Sequence, residues 1–128
     1  HQISEILYSG KFAKEKAEVA RKFMRAYLRG VRAHNDSLGP DGAFLGAKGD
    51  EIVSILTEYG SFKDPQVWRS FIFSSCGPDG TLHVPSMKED LAIWRQQGLI
   101  EVPIEVEKAL DTSFVEWALK DLGPYVKK

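Results

Sequence analysis

A long amphipathic pattern in the first third of the chain most limits the possible folds. Apolar residues recur at helical spacing over residues 13–34, opposite a face rich in charged residues. Such a stripe stabilises a helix only when other elements cover it. The pattern therefore predicts one helix from Ala13 to His34, whose buried face comprises Ala20, Phe23, Met24, Tyr27, Leu28 and Val31.

Capping and turn residues predict two further helices in the middle of the chain. Asp50 is a suitable N-cap for a second helix, and Gly60 is suited to its end. Asp64 followed by Pro65 predicts the start of a third, because proline is tolerated at the first helical position.

Two more helices are predicted in the last third. Ser86 and Glu89 have the spacing of a capping box for a fourth helix, which Gly98 would end, with Leu99 packing back. Asp111 or Thr112 would cap the last helix, and Gly123 would stop it. The apolar faces are expected to bury Met87, Leu91, Trp94, Phe114, Trp117, Ala118 and Leu122.

The segment from Gln2 to Ser9 predicts a strand, because β-prone Ile3, Ile6, Leu7 and Tyr8 precede a terminating glycine. No second strand is evident, and a lone strand needs a sheet. The predicted fold is therefore mainly α, with about five helices and one N-terminal strand, in a single domain of residues 1–128. The orphan strand also indicates a segment cut from a larger α/β protein.

Composition excludes several classes of protein. The formal net charge of −1 gives no field for nucleic acid, and the single cysteine excludes an internal disulfide. No apolar run approaches the roughly 20 residues of a membrane span. The start of the chain lacks the pattern of a signal peptide, so an export signal would lie upstream.

The candidates for chemistry are few. Cys76 with His34 or His83 could form a nucleophile and base, but no sequence feature links them, and a partly buried thiol beside a loop histidine is the favoured interpretation. The three histidines lack metal-ligand spacing, so neither a metal nor a cofactor is expected. The basic residues of the first helix could meet phosphates, although a solvated face is the stronger interpretation. Tyr27 and the tryptophans are better explained by core packing than by ligand stacking.

Tyr8 and Ser9 are the candidate ligand-binding residues. Ligands of open α/β sheets bind beyond the carboxyl ends of strands, and these residues end the predicted strand. Their phenol and hydroxyl could then contact a ligand. The alternative is that Ser9 and Gly10 simply turn the chain into the first helix.

Several segments together resemble a known family. They are Ile6-Leu7-Tyr8-Ser9, residues 26–32, Gly77-Pro78-Asp79-Gly80, residues 86–91, and Leu122-Gly123-Pro124-Tyr125. In order and spacing they are similar to the carboxy-terminal portion of periplasmic substrate-binding proteins of ABC importers, in the nitrate/sulfonate/taurine/thiamine-precursor family.

The resemblance implies a type II periplasmic binding protein, in which two α/β lobes close on a small solute and deliver it to a membrane permease. The chain would then be the C-terminal part of an exported, periplasmic receptor. Its partners would be the missing N-terminal lobe, the solute and the ABC permease. The solute stays open among nitrate, sulfonates, taurine, bicarbonate, pyrimidines and aromatic acids.

Two other classes remain open. The pyrimidine-precursor synthases share this fold but use clustered cysteines; none is present in this chain, and such a cluster would have to lie upstream. A stand-alone helical interaction module is the other alternative. For a truncated chain, uncovered apolar surface would also favour a homodimer.

Overall fold

The computed structural model describes Gln2 and residues 4–127, and this part of the chain is mainly helical. Its helices, in chain order, are α1 (Gly10–Glu15), α2 (Ala17–Ser37), α3 (Gly46–Tyr59), α4 (Pro65–Ser70), α5 (Val84–Gln96), α6 (Val106–Ala109) and α7 (Ser113–Leu122). The predicted mainly α class is confirmed.

The predicted strand is wrong for Gln2 and for Ser4 to Ser9, while Ile3 lies outside the described residues. No other strand lies within the described residues, so nothing offers the segment a ladder of hydrogen bonds. Side chains hold it instead. The Gln2 amide donates to Ser86 Oγ at 2.8 Å, and the His83 amide donates to Gln2 Oε1 at 2.9 Å.

The first predicted helix forms as two helices that meet at Lys16. Ser9 caps α1 by accepting from the Phe12 amide at 3.1 Å. On α2, the residues Ala20, Met24, Leu28 and Val31 are buried as predicted. Phe23 and Tyr27, which were expected beside them, stay 50% and 40% exposed.

The core consists of two separate clusters. The first joins α2 to α7 through Leu28, Phe114 and Ala118. The second lies where α3 packs near the 38–44 turn, through Leu38, Phe44 and Val53. An isolated antiparallel bridge joins Leu38 to Phe44 and closes that turn.

Several predicted caps are corrected by the structure. α3 begins at Gly46, so Asp50 lies inside the helix, where its carboxylate pairs with Arg69 at 2.5 Å. α5 begins at Val84 with His83 as N-cap, because His83 Nδ1 accepts from the Ser86 amide at 3.2 Å. The Ser86 hydroxyl instead contacts Gln2.

Other cap predictions are confirmed. Asp64 caps α4 by accepting from the Gln66 amide at 2.9 Å. Thr112 is the N-cap residue of α7, while the Asp111 carboxylate accepts from the Ser113 amide at 3.0 Å. Hydrogen bonds from Ser113 hold the pKa of Asp111 below its ordinary value.

The helices α5 and α6 form an arm. Among the helices of the described chain, α5 packs against α6 alone. Leu91 and Val106 are buried there, but Trp94, predicted to be buried, is 46% exposed, and Leu99 is 68% exposed. These two predictions are wrong because the arm has no further layer to pack against.

Candidate functional site

Tyr8 and Ser9, the predicted ligand-binding residues, both make contacts within the fold. The Tyr8 ring packs edge-on against Phe12 and Phe114, at centroid distances of 5.3 and 5.1 Å. Its hydroxyl donates to the Ala20 carbonyl at 2.9 Å, and burial raises the pKa of the phenol. With Ser9 capping α1, the turn interpretation accounts for both residues, and a ligand role for them stays a prediction.

Cys76 is part of the 73–78 segment and His34 packs against Phe73 of the same segment, but the two side chains have different surroundings. Cys76 is exposed. The His34 ring packs edge-on against Phe44 and Phe73, each at a centroid distance of 5.8 Å, and its Nδ1 is buried without a hydrogen-bond partner in the described structure. His83 caps α5. Each residue therefore has a structural setting of its own.

Three arginines of the basic stripe of α2 pair with acidic residues; the stripe consists of Arg21, Lys22, Arg25, Arg29 and Arg32. Arg21 pairs with Glu18, and Arg25 pairs with Asp121 at 3.0 Å. Arg32 turns into the fold, where only 14% of its side chain is exposed. This pairing favours the solvated-face interpretation over a phosphate-binding row.

Arg32 is the centre of a polar network between α2, the 77–80 turn and the end of α7. Its guanidinium donates to Asp79 Oδ1 at 2.6 Å and to the carbonyls of Pro78, Leu122 and Gly123. Asp79 also accepts from the Tyr125 amide at 3.1 Å. The network holds two irregular segments against one helix.

Asn35 and Tyr125 extend this network. The Asn35 amide group donates to the Cys76 carbonyl at 2.7 Å and accepts from the Cys76 amide at 3.0 Å. The Tyr125 hydroxyl donates to Asp36 Oδ1 at 2.7 Å. Burial, then the hydrogen bond to Asp36, then the charge of Asp36, raise the pKa of Tyr125 to about 12.

These contacts build a pocket of about 470 Å³, which we call the C-terminal pocket. Its walls are residues 38–42, residues 73–78 and the segment of Tyr125 and Lys127. Gly42 takes a φ of +80°, and a Cβ there would lie 2.5 Å from the Phe73 carbonyl oxygen. The Phe73 amide donates to the Gly42 carbonyl at 2.9 Å, so the first two walls are joined directly.

Asn35 was not predicted to be a site residue, although its position on the apolar stripe of α2 could have indicated it. Asn35 continues the buried stripe of α2 at helical spacing after Val31, and it is only 6% exposed. A buried amide needs hydrogen-bond partners, so a polar residue on that stripe indicates a specific contact. No local signal pointed to Lys127, whose place depends on distant segments.

The fold exposes a large surface, on which many large apolar side chains lie. The accessible surface is 9234 Å², whereas a compact monomer of this mass exposes about 6,800 Å². Most of the exposed large apolar side chains fall in three parts of the chain: Val19, Phe23 and Tyr27 on α2; Ile55, Tyr59, Phe62, Phe71 and Ile72 around α3 and α4; and Ile93, Trp94, Leu99, Val102 and Ile104 on the arm. Ile6, Leu7, Leu45 and Val126 are exposed outside these groups.

Over residues 4–127, no three side chains of metal-ligand type converge on one point. In the same part of the chain, no helix combines the length and the apolarity needed to span a bilayer.

Comparison with known proteins identified no relative. No protein-family model, curated protein or solved structure matches this chain.

Proposed function

We propose that this chain is the C-terminal part of the solute-binding component of an ABC importer. The observation that carries the proposal is the uncovered apolar surface, which fits a chain that packs against another lobe. The sequence resemblance supplies the class of protein, and the surface supplies a physical reason for a partner lobe.

The size of the surface fits a permanent contact. The chain exposes about 2,400 Å² more than a compact monomer of its mass. A standard interface buries about 800 Å² on each partner, and permanent interfaces bury more. A contact between two lobes of one chain is permanent, so it is expected to be one of these larger interfaces.

The pattern on α2 also supports a second layer. Val19, Phe23 and Tyr27 follow one another at intervals of four residues, so they form a stripe beside the buried one. The stripe predicted from the sequence is therefore wider than the surface that α7 covers. A helix with such a wide apolar face is expected to lie between two layers.

The first test is the coding DNA upstream of the Gln2 codon. We expect the open reading frame to continue upstream through an α/β lobe to an export signal. A start codon at this boundary would instead favour the independent helical interaction module.

The second test is a solute screen on the complete gene product. Thermal unfolding would be followed with nitrate, alkanesulfonates, taurine, bicarbonate, pyrimidines and aromatic acids. One of these should raise the melting temperature, as expected for a ligand that binds only the folded state. The isolated chain should show little or no shift with the same solute, because closure needs both lobes. Equal high-affinity binding by the isolated chain would contradict the proposal.

A further inference from the structure

The C-terminal pocket carries one charged side chain of each sign. Lys127 Nζ donates to the Leu38 carbonyl at 3.2 Å, and an ammonium has three donors. Asp41 Oδ1 accepts from the Ala43 amide at 3.1 Å, and a carboxylate has a second oxygen. Both groups can therefore form further hydrogen bonds to a ligand, and the net charge of the two side chains is zero.

Four of the remaining wall residues are apolar, and they lie beside polar residues, namely Asn35, Ser75, Cys76 and Tyr125. Phe73 is half-buried, Leu38 is buried, and Pro40 and Pro78 line the same space. The volume of about 470 Å³ is within the usual range for small-molecule sites, about 300–1,000 Å³. A ligand here would place an apolar group on these walls and direct its charges to the rim.

Long-range hydrogen bonds hold the 73–78 wall and the C-terminal wall in place. Asn35 holds the backbone of Cys76 through two hydrogen bonds, and Asp79 and Asp36 hold Tyr125. These contacts join segments that are 41 to 89 residues apart. A prearranged site loses less conformational entropy on binding than a mobile one.

We propose that the C-terminal pocket binds a small zwitterion with an apolar side chain, which is the chemistry of an apolar amino acid. The carboxylate of the ligand would pair with Lys127, its ammonium with Asp41, and its side chain would contact Phe73. A polyanion such as a nucleotide would find only one cation. Every wall belongs to this chain, so the proposal does not depend on the receptor function.

Heteronuclear NMR titration of the 128-residue chain tests this with L-leucine and two analogues. One analogue, 4-methylpentanoate, lacks the ammonium group, and the other, 3-methylbutylamine, lacks the carboxylate. We expect L-leucine to shift the resonances of residues 38–42 and 73–78. Each analogue should bind at least about tenfold more weakly, a loss of about 1.4 kcal/mol. Equal binding of all three would overturn the zwitterion assignment.

Cys76 gives a second readout, because it is exposed and lines the pocket. L-leucine should slow alkylation of its thiol, and Lys127→Met should abolish that protection. Lys108→Met is the matched control, since Lys108 lies outside the pocket and pairs with Glu105. Failure of L-leucine to bind or to protect Cys76 would overturn the proposal. The receptor proposal, tested on the complete gene product with other solutes, would stand or fall separately.

Discussion

Arg32 on α2 and Asp79 in the 77–80 turn form an ion pair, with Nη2 and Oδ1 2.6 Å apart. Their side chains are 14% and 34% exposed, so water screens the pair only in part. The same guanidinium also binds the Leu122 and Gly123 carbonyls at the end of α7, where a cation is favoured by the helix dipole. One side chain thus joins three distant parts of the chain.

Replacing Arg32 should destabilise the fold strongly. Arg32→Met leaves Asp79 and several carbonyls without their donor, and we expect a loss of about 2–4 kcal/mol in the free energy of unfolding. Urea denaturation would measure it. Arg25→Met is the control, since the Arg25–Asp121 pair is exposed and should contribute about 0–1 kcal/mol. Equal losses in both variants would contradict the role of Arg32.

Tyr125 should make stability depend on alkaline pH. Its pKa is raised from 10 to about 12, chiefly by burial and by the hydrogen bond to Asp36. Below pH 10 the phenol is protonated in both the folded and the unfolded chain, so its contribution is fully present. Between pH 10 and 12 the unfolded chain ionises first, and stability falls as the pH rises.

The measurement is urea denaturation of wild type and Tyr125→Phe across this range. The variant should lose less stability than wild type as the pH rises from 10, because it has no phenol at that position to ionise. Parallel curves for the two proteins would show that Tyr125 titrates alike in both states.

Asn35 should fix the 73–78 wall of the C-terminal pocket. Asn35→Ala removes both hydrogen bonds to the Cys76 backbone, and we expect a loss of about 1–3 kcal/mol together with faster proteolysis near residue 76. Asn35→Asp keeps the acceptor for the Cys76 amide but loses the donor to its carbonyl. Because that carboxylate would be buried and would face the Cys76 carbonyl oxygen, this variant should be destabilised at least as much as Asn35→Ala. An alanine variant as stable and as resistant to protease as wild type would rule out this role.

Local sequence signals predicted the helices well where a neighbouring residue supplies the decisive contact. Asp64 before Pro65 and Gly123 after α7 are of this kind, since a cap or a stop depends on adjacent backbone. The Gln2–Ser9 strand failed because strand formation depends on a distant partner. The burial predicted for Trp94 failed for the same reason.

The same contrast between local and distant contacts applies to the C-terminal pocket. The Gly39-Pro40-Asp41-Gly42 segment consists of turn-forming residues, and Gly42 takes a positive φ. The pocket itself was not predicted, because its three walls come from positions up to 89 residues apart. Only Asn35, a polar residue on an apolar stripe, carried a local signal of those contacts.

The two apolar stripes of α2 should differ sharply in their contribution to stability. Leu28 is fully buried, so Leu28→Ala should cost about 2–5 kcal/mol. Phe23 is half exposed, and Phe23→Ala in this chain should cost no more than about 1.5 kcal/mol. If the full-length protein has the proposed second lobe, the second value should rise there to about 3–5 kcal/mol, because that lobe would bury Phe23. An unchanged cost there would argue against a lobe contact at this face.

The uncovered surface should also make the isolated chain self-associate. With about 2,400 Å² of excess exposed surface, two copies can bury the roughly 800 Å² each that a specific dimer needs. Size-exclusion chromatography with light scattering should show a mass that rises with concentration. Phe23→Glu and Trp94→Glu should shift the chain toward monomer, because each places a charge in an apolar group, whereas Arg29→Glu on an exposed part of α2 should not. A wild-type chain that stays monomeric at high concentration would show that the apolar groups are too dispersed to form one interface.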